Sequence, residues 1–218
     1  DRREIIESIL SSKKPVVCYV YPKGARAASA GTFIVASCHL SAMAPGTSIG
    51  AAHPVMVGIG GKGSENSTMA KKVLEDAVSY ITSLAKMRGR DVEGYVLTVK
   101  EAKSFDAMEA VKRGMVDLMA NDIDELLEKI DGRTVNIDGK KFTFKTKGLK
   151  GVDLKPTLRE KLLTILGDPN IAYMLLLLGF YGIFFELTNP GAILPGVLGG
   201  IFLILGLYSL HILPVNYA

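Results

Sequence analysis

The charged runs that mark a nucleic-acid-binding protein are absent from this sequence. Its 218 residues carry a formal net charge of +4, but the lysines and arginines are scattered, and aromatic residues make up only 7% of the chain. Proteins that bind nucleic acid concentrate basic residues on one patch or stripe, often interleaved with aromatic residues. The composition therefore argues against nucleic acid as a partner.

Cysteine is scarce, and no leader segment is visible. Cys18 and Cys38 are the only cysteines, and they do not have the spacing of metal ligands. Because sequence alone does not establish a disulfide, we expect two buried apolar thiols. The chain begins with Asp1 and has no basic segment followed by an apolar run, so we expect a chain that is mature or cut.

Long apolar runs are present, but only near the end of the chain. Charged residues are frequent up to Asp168, whereas residues 171–218 contain only Glu186 and His211 as acidic, basic or histidine residues. The block 171–187 is slightly shorter than the roughly 20 residues of a spanning helix, and the block 193–215 is interrupted by a proline. Two closely linked membrane helices fit this pattern better than a hairpin in a soluble core, because neither block has a polar face.

Patterns in the first half of the chain predict an α/β domain. Ile5, Ile6, Ile9 and Leu10 recur at helical spacing, and the apolar run 16–20 is typical of a buried parallel strand. A helix of small residues over 27–36 and a strand over 40–44 follow. The alternation of helix and strand indicates an α/β fold.

The remaining elements are read from periodicity and turn residues. We predict helices over 69–88, 104–113 and 122–130, a strand over 115–120, a hairpin over 135–144 around Asp138-Gly139, and an amphipathic helix over 157–166. The last of these precedes the first apolar block, which favours a helix lying at a membrane surface. The glycine-rich stretch 58–67 predicts a loop.

Ser29 follows the buried strand and precedes the helix of small residues. At a helix N-terminus, free N–H groups and the positive end of the helix dipole stabilise developing negative charge beside a serine hydroxyl. The same position also suits an ordinary N-cap serine. Spacing alone leaves both interpretations open.

Two residues could activate this serine as a general base. Lys72 lies at the start of the helix after the glycine-rich loop, and its amine must be neutral, which an apolar or membrane-proximal pocket favours. His53 would need an orienting carboxylate, for which Asp106 and Asp117 are available. His39 lies in an apolar segment and is expected to be a hydrogen-bonded structural histidine.

Four segments carry a resemblance to a known family. Residues 22–33 (PKGARAASAGTF), 43–52 (MAPGTSIGAA) and 107–117 (AMEAVKRGMVD) resemble the long-form NfeD family of membrane-bound, Clp-class serine proteases. Residues 170–196 (NIAYMLLLLGFYGIFFELTNPGAILPG) are similar to the membrane region of the same family. The resemblance covers most of the chain.

The resemblance implies a fold and a domain organisation. It implies an α/β fold, with a partial Clp/crotonase-like protease core followed by an α-helical transmembrane segment. We expect the protease domain over 1–130 without its N-terminal part, a hairpin and linker over 131–155, a juxtamembrane helix over 156–170 and membrane helices over 171–218. The family's oxyanion glycines would precede Asp1.

The resemblance also implies chemistry and partners. Ser29 matches the family's nucleophile and Lys72 its general base, which gives a Ser-Lys dyad that requires no metal or organic cofactor. It implies stomatin-like membrane proteins as substrates or partners, association with the lipid bilayer, and a homo-oligomer of two or more subunits. Alternatives are a Ser-His-Asp peptidase that uses His53, and a noncatalytic scaffold that binds stomatin-like proteins.

Two lines of reasoning disagree on the membrane orientation. Lys155, Arg159 and Lys161 flank the first apolar block, and the positive-inside rule places such a flank in the cytoplasm. Relatives in the family place the protease domain outside the cytoplasm. We follow the resemblance and expect an integral protein of the cell membrane with an extracytoplasmic protease domain.

Overall fold

Two units make up the chain, one from Asp1 to Gly151 and the other from Val152 to Ala218. The structure is a computed structural model that describes residues 2–54, 68–189, 191 and 193–212, without the side chains of the last two. The glycine-rich stretch 58–67 and the end of the second apolar block lie outside the described residues.

The first unit alternates short helices and strands. Its elements are α1 (Arg2–Leu10), β1 (Val17–Val20), β2 (Arg26–Ala28), α2 (Ala30–Ser37), β3 (Leu40–Met43), β4 (Ser48–Gly50), α3 (Thr68–Met87), α4 (Val92–Lys100), β5 (Ser104–Asp106), α5 (Ala107–Arg113), β6 (Leu118–Met119), α6 (Ile123–Ile130), β7 (Thr134–Ile137) and β8 (Lys140–Thr143). The predicted α/β class is confirmed.

Two small sheets organise this unit. One has the order β1-β3-β6 with parallel pairing, in which Val17 lies opposite Leu40. In the other, β4 pairs in parallel with β2 and antiparallel with β5. The core between the elements is built from large side chains that are fully buried: Phe33, Ile49, Ile81, Leu84, Tyr95 and Phe105.

The predicted hairpin is present with the expected turn. β7 and β8 pair antiparallel, with Ile137 opposite Lys140. Asp138 and Gly139 have φ angles of 49° and 78°. Positive φ at both central residues is what a two-residue turn between twisted strands requires, and Asp-Gly supplies it at low cost.

Two short strands replace the start of predicted helices, and one predicted strand is shorter than expected. The helix predicted over 27–36 begins only at Ala30, because residues 26–28 pair with β4 and bury Ala27. Likewise, residues 104–106 form β5, and α5 begins at Ala107, where the Asp106 carboxylate accepts a hydrogen bond from Glu109 N at 2.8 Å. The predicted strand 115–120 shortens to two residues.

The interpretation of the two cysteines as separate thiols is wrong. Cys18 in β1 and Cys38 at the end of α2 form a disulfide with a Cα–Cα distance of 5.9 Å. The crossover from β1 through α2 to β3 brings them together, because β1 and β3 are neighbours and α2 ends just before β3. A sequence separation of 20 residues gave no sign of this proximity.

Three helices are present in the described part of the second unit. α7 spans Leu158–Leu166, α8 spans Pro169–Thr188, and α9 spans Ile193–Ile212. α8 and the segment Ile193–Leu210 of α9 are long and apolar enough to cross a membrane, with mean hydropathies of 1.8 and 2.1. Pro169 occupies the start of α8, where a missing N–H has no consequence, and Asp168 caps that end.

Glycines allow α8 and α9 to approach closely. A Cβ added at Gly199 would lie 2.7 Å from Ile183 N and 2.8 Å from Gly179 O, so no side chain fits there. By contrast, Gly200 has nothing within 4 Å, and the carboxylate of Glu186 lies against Gly196. Gly200 is therefore not part of the close contact between these two helices, which Gly179 and Gly199 form.

Candidate active site

Ser29 occupies a strained turn between β2 and α2. Its φ and ψ are 51° and −115°, a conformation that a residue with a side chain rarely adopts. Its backbone N–H is shared between Gly50 O at 3.2 Å and Ala51 O at 3.3 Å. Such strain persists only where the surroundings fix the backbone, and it is common at active sites.

Hydrogen bonds and one close approach fix this turn. The buried Thr32 hydroxyl donates toward Ala27 O at 2.8 Å and Gly50 O at 2.9 Å, which ties the start of α2 to both neighbouring strands. Gly50 has a φ of 138°, and a Cβ there would lie 2.2 Å from Lys103 O. Only glycine fits at this position. The Ser29 side chain, in contrast, is exposed.

A cleft of about 560 Å³ opens beside Ser29, and we call it the Ser29 cleft. It is lined by Arg2, Arg3, Ser29, Ala52, His53, Pro54, Lys72, Val73, Asp76 and Ala77. The structure therefore brings Ser29, Lys72 and His53 to one cavity, although they come from different elements. Asp106 and Asp117 do not line it.

Packing of α3 places Lys72 at the cleft. Ile81 and Leu84 are buried in the core, and the ring of Tyr80 stacks 6.0 Å from that of Phe33 in α2. Lys72 lies two turns before Tyr80, so it shares that side of the helix. Its side chain is exposed.

Acidic and basic side chains surround Lys72. Asp76 follows it by one helical turn and forms an ion pair with Arg3 at 2.9 Å. The guanidinium of Arg2 lies 4.3 Å from the centre of the Phe33 ring. The Asp76 carboxylate is thus paired with Arg3 at the edge of the Ser29 cleft.

His53 has one ring nitrogen engaged and one with a free lone pair in the neutral form. Its Nδ1 lies 2.8 Å from Val99 O, and since a carbonyl only accepts, Nδ1 carries the hydrogen and Nε2 is left as the basic nitrogen. The partner of Nδ1 is a carbonyl and not a carboxylate.

The two carboxylates suggested as orienters of His53 are engaged elsewhere. Asp106 caps α5, and Asp117 accepts from Ser41 N at 2.7 Å and from Arg90 at 3.2 Å. The Ser-His-Asp arrangement therefore lacks its acid among the described residues.

His39 is a structural histidine, as expected. It is 8% exposed, and its Nδ1 accepts a hydrogen bond from Val16 N at 3.2 Å. Burial, followed by the nearby charge of Arg88, lowers the pKa of His39 below its usual value. The lowered pKa favours a neutral ring, and a neutral His39 can accept this hydrogen bond from Val16 N.

Two arginines hold the end of α2 opposite Ser29, and we call them the arginine pair. Arg88 donates to Ser37 O at 2.8 Å, while Arg90 donates to the carbonyls of Val35 and Cys38. Such cations bind the carbonyls that the last turn of a helix leaves unpaired, and they oppose the negative end of the dipole. The helix that presents Ser29 is thus fixed at its far end.

Replacing Arg90 with alanine is expected to lower the free energy of unfolding by about 3 kcal/mol, because its side chain is 3% exposed and binds two carbonyls and Asp117. Denaturant unfolding in detergent, followed by far-ultraviolet circular dichroism, measures this. The exposed Arg133 provides a matched control, and its alanine variant is expected to lose less than about 0.5 kcal/mol. Equal losses in the two variants would contradict the role of Arg90.

Several residues of the cleft were not predicted from the sequence. Arg2 and Arg3 belong to α1, and only the packing of α1 against α2 brings them to Ser29. Asp76 carried a usable signal, since it follows Lys72 at the spacing of neighbours on one helix face. The positive φ of Ser29 was not predictable, because a positive φ is expected from a sequence mainly at glycine.

Sequence comparison places the chain beside known membrane proteins. The NfeD integral membrane domain matches residues 170–218. The protein named membrane-bound protease PH1510, from Pyrococcus horikoshii, is 38% identical over 98% of this chain and 48% of its own length. Membrane protein NfeD1b from Bacillus subtilis is 31% identical over 94% of this chain and 45% of its own. The chain therefore spans about half the length of each.

Solved structures resemble the chain as well. One is 1510-N, a membrane-bound stomatin-specific protease, with a lysine replaced by alanine and a substrate peptide bound; it is 37% identical, has a TM-score of 0.66, and the match covers 75% of this chain and 74% of that one. A serine-to-alanine variant of 1510-N is 38% identical over 72% of this chain and 75% of that one, also with a TM-score of 0.66. The α/β unit thus has the fold of that protease domain.

Proposed function

Because this chain belongs to the NfeD family of membrane proteins, we propose that it is a membrane-anchored serine endopeptidase that cleaves hydrophobic segments of membrane-associated proteins. Ser29 is the nucleophile and Lys72 the general base. The observation that carries the proposal is the Ser29 cleft, which both side chains line. The helices α8 and α9 supply the membrane anchor.

The reaction proceeds through an acyl-enzyme. Ser29 Oγ attacks the carbonyl carbon of the scissile peptide bond while its proton passes to the neutral amine of Lys72. The C–N bond then breaks, and Lys72 returns the proton to the leaving amine. In the second half, Lys72 takes a proton from water, which attacks the ester carbon, and Ser29 Oγ leaves with that proton.

The first turn of α2 helps to stabilise the oxyanion. The N–H groups at the start of a helix have no intrahelical partner, and Ala30 and Gly31 occupy that turn directly after Ser29. Their N–H groups, together with the positive end of the dipole, favour negative charge beside Ser29.

Substrate binding supplies the dry environment that a neutral lysine needs. Lys72 is exposed to water in the free chain. A hydrophobic peptide segment in the Ser29 cleft covers the amine and excludes that water.

His53 is the second candidate for the general base. It lines the same cleft, and its engagement with Val99 O leaves Nε2 as the basic nitrogen. A carbonyl fixes the tautomer of the ring but provides no negative charge to stabilise an imidazolium. This difference favours Lys72.

We propose a stomatin-like membrane protein as the substrate or partner, in a homo-oligomer associated with the bilayer. The structures of 1510-N support this choice, since they are described as a stomatin-specific protease. A noncatalytic scaffold that binds the same partner would use the fold without the chemistry.

An extracytoplasmic position of the protease domain is supported by the disulfide between Cys18 and Cys38. Disulfides persist mainly in oxidising compartments outside the cytoplasm. Lys155, Arg159 and Lys161, which precede the first span, favour the opposite orientation by the positive-inside rule.

Covalent labelling of Ser29 tests the proposed function. We expect a fluorophosphonate probe to modify the full-length protein in membranes at Ser29, since an activated hydroxyl attacks the probe as it attacks a peptide. Mass spectrometry of the digested protein locates the adduct. Ser83→Ala, a change at an exposed serine of α3, should leave labelling intact, whereas Ser29→Ala should abolish it. Absence of labelling with partner binding retained would identify a scaffold.

A further inference from the structure

α7 begins with a capping box that engages the carboxylate of Glu160, the single acidic residue of the helix. Thr157 accepts a hydrogen bond from Glu160 N at 3.3 Å, and Thr157 N donates to Glu160 Oε2 at 2.7 Å. These bonds lower the pKa of Glu160, so its carboxylate stays ionised and turned toward the start of the helix.

The other end of α7 is joined to the membrane helices. Leu166 is 8% exposed, and its carbonyl accepts a hydrogen bond from the buried hydroxyl of Ser209 in α9. Only two residues separate α7 from α8. The C-terminal end of α7 therefore lies beside the start of α8, the first candidate membrane span.

One apolar side of α7 is exposed and has no protein partner among the described residues. Leu158, Leu162 and Ile165 are 86%, 58% and 54% exposed. Their spacing of four and three residues puts them on one side of the helix, and we call this set the α7 stripe. Tyr173, in the first turn and a half of α8, is also largely exposed and has the character of a residue at a membrane interface.

Three basic residues next to the α7 stripe are unpaired. Lys155, Arg159 and Lys161 form no ion pair with any residue in the described part of the chain. Of the nearby acids, Glu160 binds Thr157 N, and Asp168 accepts from Asn170 N at 2.8 Å, so both carboxylates are engaged with the backbone. Asp153 is the remaining acid in this stretch. The cations are therefore available to an anionic ligand outside the chain.

We propose that α7 is a binding site for anionic phospholipid in the membrane interface. The α7 stripe enters the boundary between headgroups and acyl chains, and Lys155, Arg159 and Lys161 bind lipid phosphate. A helix with an apolar stripe and basic flanks, continuous with a membrane span, has the chemistry of an interfacial helix. Binding to lipid phosphate also explains why these three basic residues precede the first span, for either orientation of the protein in the membrane.

A fluorescent probe at position 162 tests where the stripe lies. The full-length Leu162→Cys variant, labelled with an environment-sensitive fluorophore, is reconstituted into phosphatidylcholine vesicles with about 30 mol % phosphatidylglycerol. We expect blue-shifted emission that brominated lipids quench and aqueous iodide does not. Lys140→Cys, in the exposed hairpin strand β8, provides the aqueous reference.

Removal of the three charges tests the lipid preference. In the variant Lys155→Gln/Arg159→Gln/Lys161→Gln, the preference for phosphatidylglycerol over phosphatidylcholine should be about tenfold weaker than in the parent protein. Quenching by each lipid in brominated form measures this preference. The change Lys140→Gln/Lys141→Gln/Lys145→Gln, which removes as many charges from the first unit, should leave the preference unaltered.

Three results would overturn the proposal. A probe at position 162 that iodide quenches in anionic vesicles would place the stripe in water, and a probe that neither quencher reaches would place it against protein. A lipid preference that survives loss of the three charges would remove the phosphate contact. None of these readouts depends on peptidase activity, so they separate this proposal from the proposed function.

Discussion

Replacing Ser29 with alanine is expected to lower kcat for a hydrophobic-segment peptide by about 10³-fold or more, with little change in KM. The reason is that the proposed acyl-enzyme forms on Ser29 Oγ, while the walls of the cleft proposed to bind the peptide remain. Steady-state cleavage of such a peptide by the full-length protein in membranes measures both constants. Ser83→Ala serves as the matched control, since it removes an exposed hydroxyl from α3.

A second change at position 29 separates loss of chemistry from loss of folding. Ser29→Gly also removes the hydroxyl, but glycine adopts a φ of 51° without strain, so this variant should be at least as stable as the parent and equally inactive. Turnover that survives in either variant would exclude Ser29 as the nucleophile.

Replacing Lys72 with alanine is expected to lower kcat by about 10³-fold, because in the proposed mechanism its amine takes the proton from Ser29. Lys72→Arg should be equally inactive, since a guanidinium does not deprotonate in proteins. The adjacent and exposed Lys71 provides the matched control, and its alanine variant should retain activity within a few-fold. The measurement is the same peptide cleavage, performed with each variant in membranes.

The comparison with His53→Ala decides between the two bases. We expect this change to affect kcat far less than Lys72→Ala, since His53 contributes to the wall of the cleft. The reverse result, in which His53→Ala is inactive and Lys72→Ala is active, would transfer the role of base to His53.

Long periodic elements could be predicted from the sequence, and very short ones could not. α3 and the β7–β8 hairpin carry strong local signals, namely helical periodicity and an Asp-Gly turn, and both appear close to their expected bounds. β2 and β5 have three residues each, too few to show alternation. Their existence depends on pairing with β4, which is a tertiary effect that overrides the helical preference of small residues. α4 was not predicted at all.

The candidate site was recognised in parts. Ser29 and Lys72 were identified through family motifs, and nothing in their spacing required them to meet at one cleft. That proximity depends on the packing of Tyr80 in α3 against Phe33 in α2. The roles of Arg3 and Asp76 likewise depend on contacts between helices that no local pattern encodes.

α2 has eight residues and is therefore only about 12 Å long. Ser29 lies at the N-terminal end of α2, and the arginine pair and Cys38 fix its C-terminal end. A helix of that length moves as a rigid body. A tilt of its C-terminal end, caused by a change at Cys38 or Arg90, would therefore also displace the Ser29 hydroxyl at the other end, which neither residue contacts. Changes far from the cleft are thus expected to reduce activity although Ser29 and Lys72 themselves are unchanged.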